Sequence, residues 1–399
     1  MNKKLIRVYF RTGMKWRKFT ADKIFTGREF IYNHVLVADQ NGLIEDLVKK
    51  DDAGDDIETF KGIISPGLIN CHCHLELSHM KGLIPVHTRL VDFVYKVVTE
   101  RHHPEEQILH AISEAEKEMI DNGIVAVGDI CNNTSTIHQK QAGKISYFNF
   151  IEASGWLPTV AQVRLQRAKE LAQKFSNLNT PFSIVPHAPY SVSADLWQEL
   201  KPHFSKKVIT IHNQETACED EFFKEGKGDF KRMYQLMKID NAHHVATKKS
   251  SLQSYFHHLK NASSVILVHN TYTSQDDINF IKQTGTISKL YFCICINANQ
   301  YIEDAIPPID LFRTNNCSIV LGTDSLASNW SLSIMDEIKT ILKHFPQVTL
   351  EEALKWATNN GAQALEMGKE LGSFKKGKKP GVILIDEENL HVERLLSSA

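Results

Sequence analysis

The chain has 399 residues, 42% of them apolar, which is enough for one large domain with a full core and a smaller one beside it. Its 46 Lys and Arg face 47 Asp and Glu, so no overall field draws it to nucleic acid or to an anionic membrane, and a small-molecule substrate is the expected partner. Arg7 and Arg11 interrupt the opening MNKKLIRVYFR and no run of about 18 apolar residues occurs, so neither a signal peptide nor a membrane span is expected.

Seven cysteines is an odd number, and Cys71, Cys73, Cys293 and Cys295 lie inside apolar, strand-like segments. A disulfide framework is therefore not expected, and a cytoplasmic location is. Near the N-terminus VLVAD and LIEDLV flank Gln40-Asn41-Gly42, and Asn-Gly favours the tight turn of a hairpin in a small β unit. From about Gly62 short apolar segments alternate with helical ones: GIISPGLIN, GIVAVGDI, ISYFNFIE, FSIVPH, KVITIH, SVILVH, YFCICI and SIVLGTD. Eight such strands suit a closed (β/α)8 TIM barrel, although an open doubly wound sheet alternates in the same way. No glycine-rich phosphate loop follows any of them, so dinucleotide or ATP binding is not expected.

Between strands, Ser193 is placed to cap ADLWQELKPHF and Ser274 to cap QDDINFIKQ, which Gly285 would end. After the eighth strand Leu332–His344 and Leu350–Leu365 read as helices, the second opened by Thr349 with Glu351 and Glu352 in its first turn. The closing GSFKKGKKPGVILIDEENLHVERL returns to turns and strands and is expected to pair with the N-terminal unit. The expected fold is thus α/β: a barrel over residues 63–371 and a small β-sandwich domain from residues 1–62 plus 372–399.

His72 and His74 stand at i and i+2 of one strand, so both can face one ion. With 19 histidines an H-x-H arises about once by chance, so the pair says little alone. The location of the others says more. His187, His212, His269 and Asp324 each end a different expected strand, on the face where barrel enzymes place their catalytic groups. Three imidazoles and a carboxylate suit one divalent ion, Zn²⁺ foremost, with Fe²⁺ and Mn²⁺ also compatible. The chosen ligands are His72, His74, His212 and Asp324, leaving His187 and His269 for substrate or water; spacing does not decide that split. Glu215 follows His212 by three residues and falls where a general acid or base is needed. Cys71 and Cys73 alternate with the histidines and so face the barrel–helix layer.

SPGLINCHCHLELS, VPHAPYSVS, the HNQE loop, VHN, LGTDSLASN, and TLEEALKWATNNGAQALEM followed by GSFKKGKKPGVILID resemble, in this order, the amidohydrolase superfamily and its deaminase and chlorohydrolase branch. The resemblance implies that His72 and His74, His212 and Asp324 are the metal ligands from the first, fifth and eighth strands. It makes Glu215 the proton shuttle, His269 the residue that orients the attacking water, and His187 a substrate contact. Two-metal relatives carry a modified lysine at the end of the fourth strand; VPHAPY has none, so a single ion is implied. HLELS and LGTDSLASN look closest to deaminases of aminodeoxyfutalosine, methylthioadenosine and S-adenosylhomocysteine. Two segments depart from the family pattern: Cys295-Ile296-Asn297-Ala298-Asn299 has Ile where the family has Pro, and Pro380-Gly381 replaces the usual Ala-Asp.

The implied reaction is hydrolytic deamination of an amino-substituted heteroaromatic ring, with Glu76, Glu152 and Trp156 as further candidate substrate contacts and a homodimer as the assembly. Hydrolysis of a cyclic amide or another C–N or C–Cl bond on the same machinery is the alternative, and a barrel that only binds is the remote one.

Overall fold

The computed structural model describes residues 16–285, 287 and 289–398; the opening segment MNKKLIRVYFR lies outside them. Among the described residues, eight parallel strands account for the expected segments. β1 (Leu68–Cys73), β2 (Ile124–Cys131), β3 (Ser146–Ala153) and β4 (Phe182–Pro186) form one four-stranded sheet in sequence order. β5 (Val208–Asn213), β6 (Ser264–His269), β7 (Leu290–Ile294) and β8 (Ser318–Leu321) form a second. Main-chain bonds cross both seams: the His212 N–H donates to the His187 carbonyl at 3.0 Å, and the Thr323 and Asp324 N–H groups donate to the His72 carbonyl at 3.0 and 3.1 Å. Every residue of β5 and β6 is buried, which explains why these strands read as unbroken apolar runs rather than alternating ones.

The expected caps form. Ser193 accepts from the Leu196 N–H, Ser274 and Asp277 make a reciprocal capping box, and Gly285 ends its helix at φ +56. Thr349 accepts from the Glu352 N–H, but the helix it opens is not regular: Leu350–Lys355 gives way to a π turn over Trp356–Asn360 before Gly361–Ala364. The wide turn seats Gly361 against β1, where a Cβ would come within 3.0 Å of Ile69.

GIISPGLIN, expected as one strand, is two. Ile63–Pro66 pairs with Val382–Ile385 and Lys23–Phe25, and only Leu68–Cys73 joins the parallel sheet. The chain changes sheets at Pro66-Gly67, where Pro66 has no N–H to donate and a Cβ on Gly67 would lie 2.2 Å from Val125 Cγ1.

Ile63–Pro66 belongs to a five-stranded sheet that runs Val392–Leu396, Val382–Ile385, Ile63–Pro66, Lys23–Phe25, Phe30–Ile31 and so joins the two ends of the chain. A four-stranded sheet contains the hairpin of His34–Asp39 and Ile44–Lys49; at its turn Gly42 takes φ +80 and Asp39 accepts from the Asn41 and Leu43 N–H groups. One apolar cluster draws Phe19, Leu36 and Ile44 from this sheet and Ile24, Ile64 and Val382 from the other.

Candidate active site

The parallel strands end together, and their ends carry the chemistry. His72, His212, His269 and Asp324 are all buried and present ligand atoms within 4.8 Å of one another. His74 joins them: its Nε2 lies 3.3 Å from His212 Nε2 and 3.4 Å from Asp324 Oδ1, and His72 Nε2 lies 3.4 Å from the same oxygen. Donors bound at about 2.0–2.1 Å around a tetrahedral ion stand about 3.3–3.4 Å apart, so this donor set fits a divalent metal such as zinc.

Two of the rings are held from behind, whereas His72 Nδ1 is buried without a partner. His212 Nδ1 donates to the His187 carbonyl at 2.8 Å, and His269 Nδ1 to Asn299 Oδ1 at 2.8 Å, which leaves the Nε2 lone pair of each facing the centre. Ser328 Oγ donates to Asp324 Oδ2 at 2.5 Å. Facing inward, His72 Nε2 and His269 Nε2 are buried without a hydrogen-bond partner, as the ligating or water-facing atoms of a metal centre would be. Three of the turns that deliver these groups are left-handed: φ is +44 at Gln214, +72 at His269 and +57 at Asp324. Such backbone costs about 1–3 kcal/mol per residue and concentrates at functional sites.

Burial pushes His74 down to about 3 and His187 and His269 to about 4, so all three are neutral at pH 7 and keep their lone pairs. Burial opposes ionisation of Asp324, yet the close approach of His72, with His74 and His269 also facing it, holds its carboxyl well below the usual range. Glu215 shows the reverse. Burial, with Asp324 nearby, raises its carboxyl well above 4.5, and Oε1 lies 3.6 Å from His269 Nε2.

A cavity of about 370 Å³ opens onto this cluster, with His74, His187, His212, Glu215, His269 and Asp324 in its lining and Leu77, Phe93, Met233, Tyr234 and Trp156 among its apolar walls. That volume and lining suit a small organic molecule. A larger polar cleft of about 730 Å³ lies alongside, sharing Asn132, Glu152, Ser154 and Arg164, but contains none of the histidines.

The three candidate wall residues also line the cavity. Glu76 accepts from Arg101 Nη2 at 3.0 Å and from the Asn132 and Asn133 N–H groups at 3.0 and 3.2 Å, so both oxygens are used. Trp156 stacks on Tyr234 with ring centroids 5.1 Å apart and donates to Asn241 Oδ1 at 2.7 Å. Glu152 accepts from Asn132 Nδ2 through Oε2, while Oε1 stands unpartnered 3.7 Å from His212 Nδ1, and burial raises its carboxyl to about 7. His187 Nδ1 is bonded to Ser191 Oγ at 2.7 Å.

Asn299, Ser328 and Ser191 were not singled out from the sequence, although each lies in a segment that was: Asn299 closes Cys295–Asn299, and the serines fall in LGTDSLASN and VPHAPYSVS. The seven cysteines are free, and none belongs to a group of potential metal ligands among the described residues. Cys71 faces the outer helices, 3.2 Å from where a Cβ on Gly361 would stand.

A parallel α/β fold whose strand ends gather imidazoles and a carboxylate under a closed-in cavity defines a class, the metal-assisted hydrolases. The Amidohydrolase family model matches residues 63–397, and the chain belongs to that family. It is 25% identical over 393 residues to a 5-methylthioadenosine/S-adenosylhomocysteine deaminase of Symbiobacterium thermophilum, covering 92% of this chain and 84% of the relative. It is 24% identical over 316 residues to an adenosine deaminase of Helicobacter pylori, covering 76% and 75%. The crystal structure of Helicobacter pylori aminofutalosine deaminase in complex with methylthio-coformycin superposes with a TM-score of 0.77 over 93% of each chain at 22% identity, a likeness of fold.

Proposed function

We propose that the protein is a hydrolytic deaminase of adenine-nucleoside-like substrates. The observation that carries this reading is Glu215: a buried carboxyl in the lining of the cavity, 3.6 Å from His269 Nε2, whose ionisation is opposed by burial and by Asp324 nearby. A proton donor of that kind is what an amino-substituted ring needs at the nitrogen beside the carbon under attack. The deaminase relatives support the same substrate class.

His72, His74, His212 and Asp324 would hold one divalent ion, Zn²⁺ in the first instance. When bound, such an ion lowers the pKa of water toward about 7 and so makes hydroxide available at neutral pH. Asp324, ionised and steadied by Ser328, takes the proton of the attacking water. His269, turned by Asn299, accepts from that water at Nε2 and orients it while remaining neutral. Glu215 protonates the ring nitrogen; the proton held by Asp324 then passes to the amino group, which leaves as ammonia, while Glu215 recovers a proton from the adduct's hydroxyl as the carbonyl forms. His187, Glu76, Glu152 and Trp156 contact the remainder of the substrate.

In this reading the two parallel sheets close into a (β/α)8 barrel across the two bonded seams, and the two smaller sheets form a β-sandwich. Among the described residues the small domain is 16–66 plus 372–398, the boundary falling after Pro66 because Ile63–Pro66 pairs outside the parallel sheets. Seven free cysteines accord with the cytoplasm, and the proposed assembly is a homodimer. No helix among the described residues is long and apolar enough to cross a membrane.

The test is ammonia release from adenosine-type nucleosides, guanine, cytosine and aminodeoxyfutalosine, using protein of measured metal content beside Glu215→Gln. Turnover of an adenine nucleoside that the variant abolishes supports the reading. Metal-loaded protein that releases ammonia from none of them sinks it, and cyclic amides become the next substrates to try.

A further inference from the structure

Glu215 stands on a loop whose course is set by the residue before it. Gln214 is buried, has left-handed backbone at φ +44, and has every polar group engaged. Its Nε2 donates to Asp277 Oδ2 at 3.0 Å and to Asp220 Oδ1 at 3.1 Å, and its Oε1 accepts from Thr273 Oγ1 at 2.8 Å. Its N–H donates to Glu219 Oε1 at 3.0 Å, and its carbonyl accepts from the Tyr272 N–H at 3.0 Å.

These partners come from two directions. Glu219 and Asp220 belong to the helix Ala217–Glu225, which follows Glu215; Tyr272, Thr273 and Asp277 belong to the segment that follows His269. Asp277 does not yield easily, since Ser274 Oγ and Gln253 Nε2 also donate to it, at 2.7 and 3.0 Å. The next residue back repeats the pattern: Asn213 Nδ2 donates to Asn270 Oδ1 at 3.0 Å, and the Asn270 N–H donates to the Asn213 carbonyl at 2.9 Å. The loop bearing the carboxyl and the loop bearing the histidine are thus sewn together side by side, and Gln214 supplies the bonds nearest Glu215.

We infer that Gln214 is a positioning residue, whose side-chain amide locks these two loops and so fixes Glu215 against His269 on one face of the bound ring. The inference rests on the proposed role of Glu215. It predicts an effect on the chemical step more than on binding, because a displacement near 1 Å costs on the order of 10²-fold in rate while the cavity walls stay in place.

The experiment compares Gln214→Met, which keeps the length of the side chain and removes its amide, with Thr349→Ala, which removes a helix cap remote from the site. Steady-state kinetics on the best adenine nucleoside are read beside amide hydrogen exchange of residues 212–220 in metal-loaded protein. In Gln214→Met we expect kcat to fall on the order of 10²-fold with KM little changed, and exchange over 212–220 to quicken. Thr349→Ala lowers Tm and leaves both unchanged. Wild-type kcat in Gln214→Met, a rise in KM in place of the fall in kcat, or unaltered exchange over 212–220 would overturn the inference. If wild-type protein turns over no adenine nucleoside, the deaminase reading fails by itself, and the exchange comparison still decides whether Gln214 holds the loop. Thr273→Val removes the 2.8 Å donor to Oε1, together with a 3.5 Å contact from Asn213 Nδ2, and leaves the amide's two bonds to Asp277 and Asp220; it should give a smaller step in the same direction, and it decides the matter where Gln214→Met does not fold.

Discussion

Two parts of the same cavity lining are built on opposite principles. In the histidine cluster the bonded atoms face outward, His212 Nδ1 to a carbonyl, His269 Nδ1 to Asn299 and Asp324 Oδ2 to Ser328, while His72 Nε2 and His269 Nε2 face the centre with no partner. In the wall of Glu76 and Trp156 the polar atoms are consumed by the protein itself. Leaving a buried polar atom unpaired costs about 1–3 kcal/mol, so two of them aimed at one point mark a place that something else completes. A satisfied wall acts instead by its shape. Glu152 stands between the two, with one oxygen bonded to Asn132 and the other free.

The sharpest way to break this contrast is to empty the centre. Stripping divalent ions with a chelator should abolish turnover, a loss of at least about 10³-fold given the several kcal/mol such an ion contributes, and lower Tm because the native state alone binds the ion. Zn²⁺ should restore both. Turnover that persists in protein shown to be metal-free would mean that the unpaired nitrogens serve some other ligand. Next in size is Glu215→Gln, which keeps the shape and removes the proton; kcat should drop by about 10²–10⁴-fold with the metal content unchanged. An active variant would move the proton donor elsewhere in the cavity.

The wall offers a smaller and differently signed pair. Glu76→Gln places an amide where two main-chain N–H groups and Arg101 now donate, so it should cost about 1–3 kcal/mol of stability by leaving donors unpaired. Glu152→Gln breaks no such set and should act on KM, since Glu152 lines the cavity with one oxygen unpartnered. Melting curves and KM read on both variants test the contrast directly: equal stability losses with no change in KM would put Glu152 with the satisfied wall.

How much of this was legible in the sequence follows from where each interaction lies along the chain. The histidines and Asp324 could be found because strand ends are visible as the end of an apolar run, and an H-x-H in a strand faces one way. The division of GIISPGLIN was hidden, because Pro66-Gly67 reads as an irregularity within one apolar run until Val125 is seen to occupy the space above Gly67. The supports behind the site were hidden for another reason. Asn299 reaches His269 across 30 residues and Gln214 reaches Asp277 across 63, and neither separation has a period. The one local signal was polarity out of place: Asn297 and Asn299 are buried in a short helix, Ile296–Glu303, that follows directly on the apolar strand β7, and a buried Asn in such a setting needs a partner.

The smallest expected effect separates two kinds of unpaired atom. Glu219 Oε2 is buried without a partner, yet Glu219 does not line the cavity and its Oε1 accepts from Ser251 Oγ and the Gln214 N–H. No ligand is available to complete it, so the carboxyl keeps its proton: burial raises it from 4.5 to about 8. The sign of the pH dependence follows. Between 4.5 and about 8 the native state holds a proton that the unfolded chain has released, so stability falls as pH rises through that window and levels off above it. Glu219→Gln mimics the protonated form and lacks this term. Urea midpoints measured from pH 5 to pH 9 should therefore agree at the acid end and diverge toward the alkaline end, the variant becoming the more stable of the two. Parallel curves would mean that Oε2 finds a partner when it ionises, and an unpaired buried oxygen away from the cavity would then have to be read as the histidine nitrogens are, as half of a contact still to be identified.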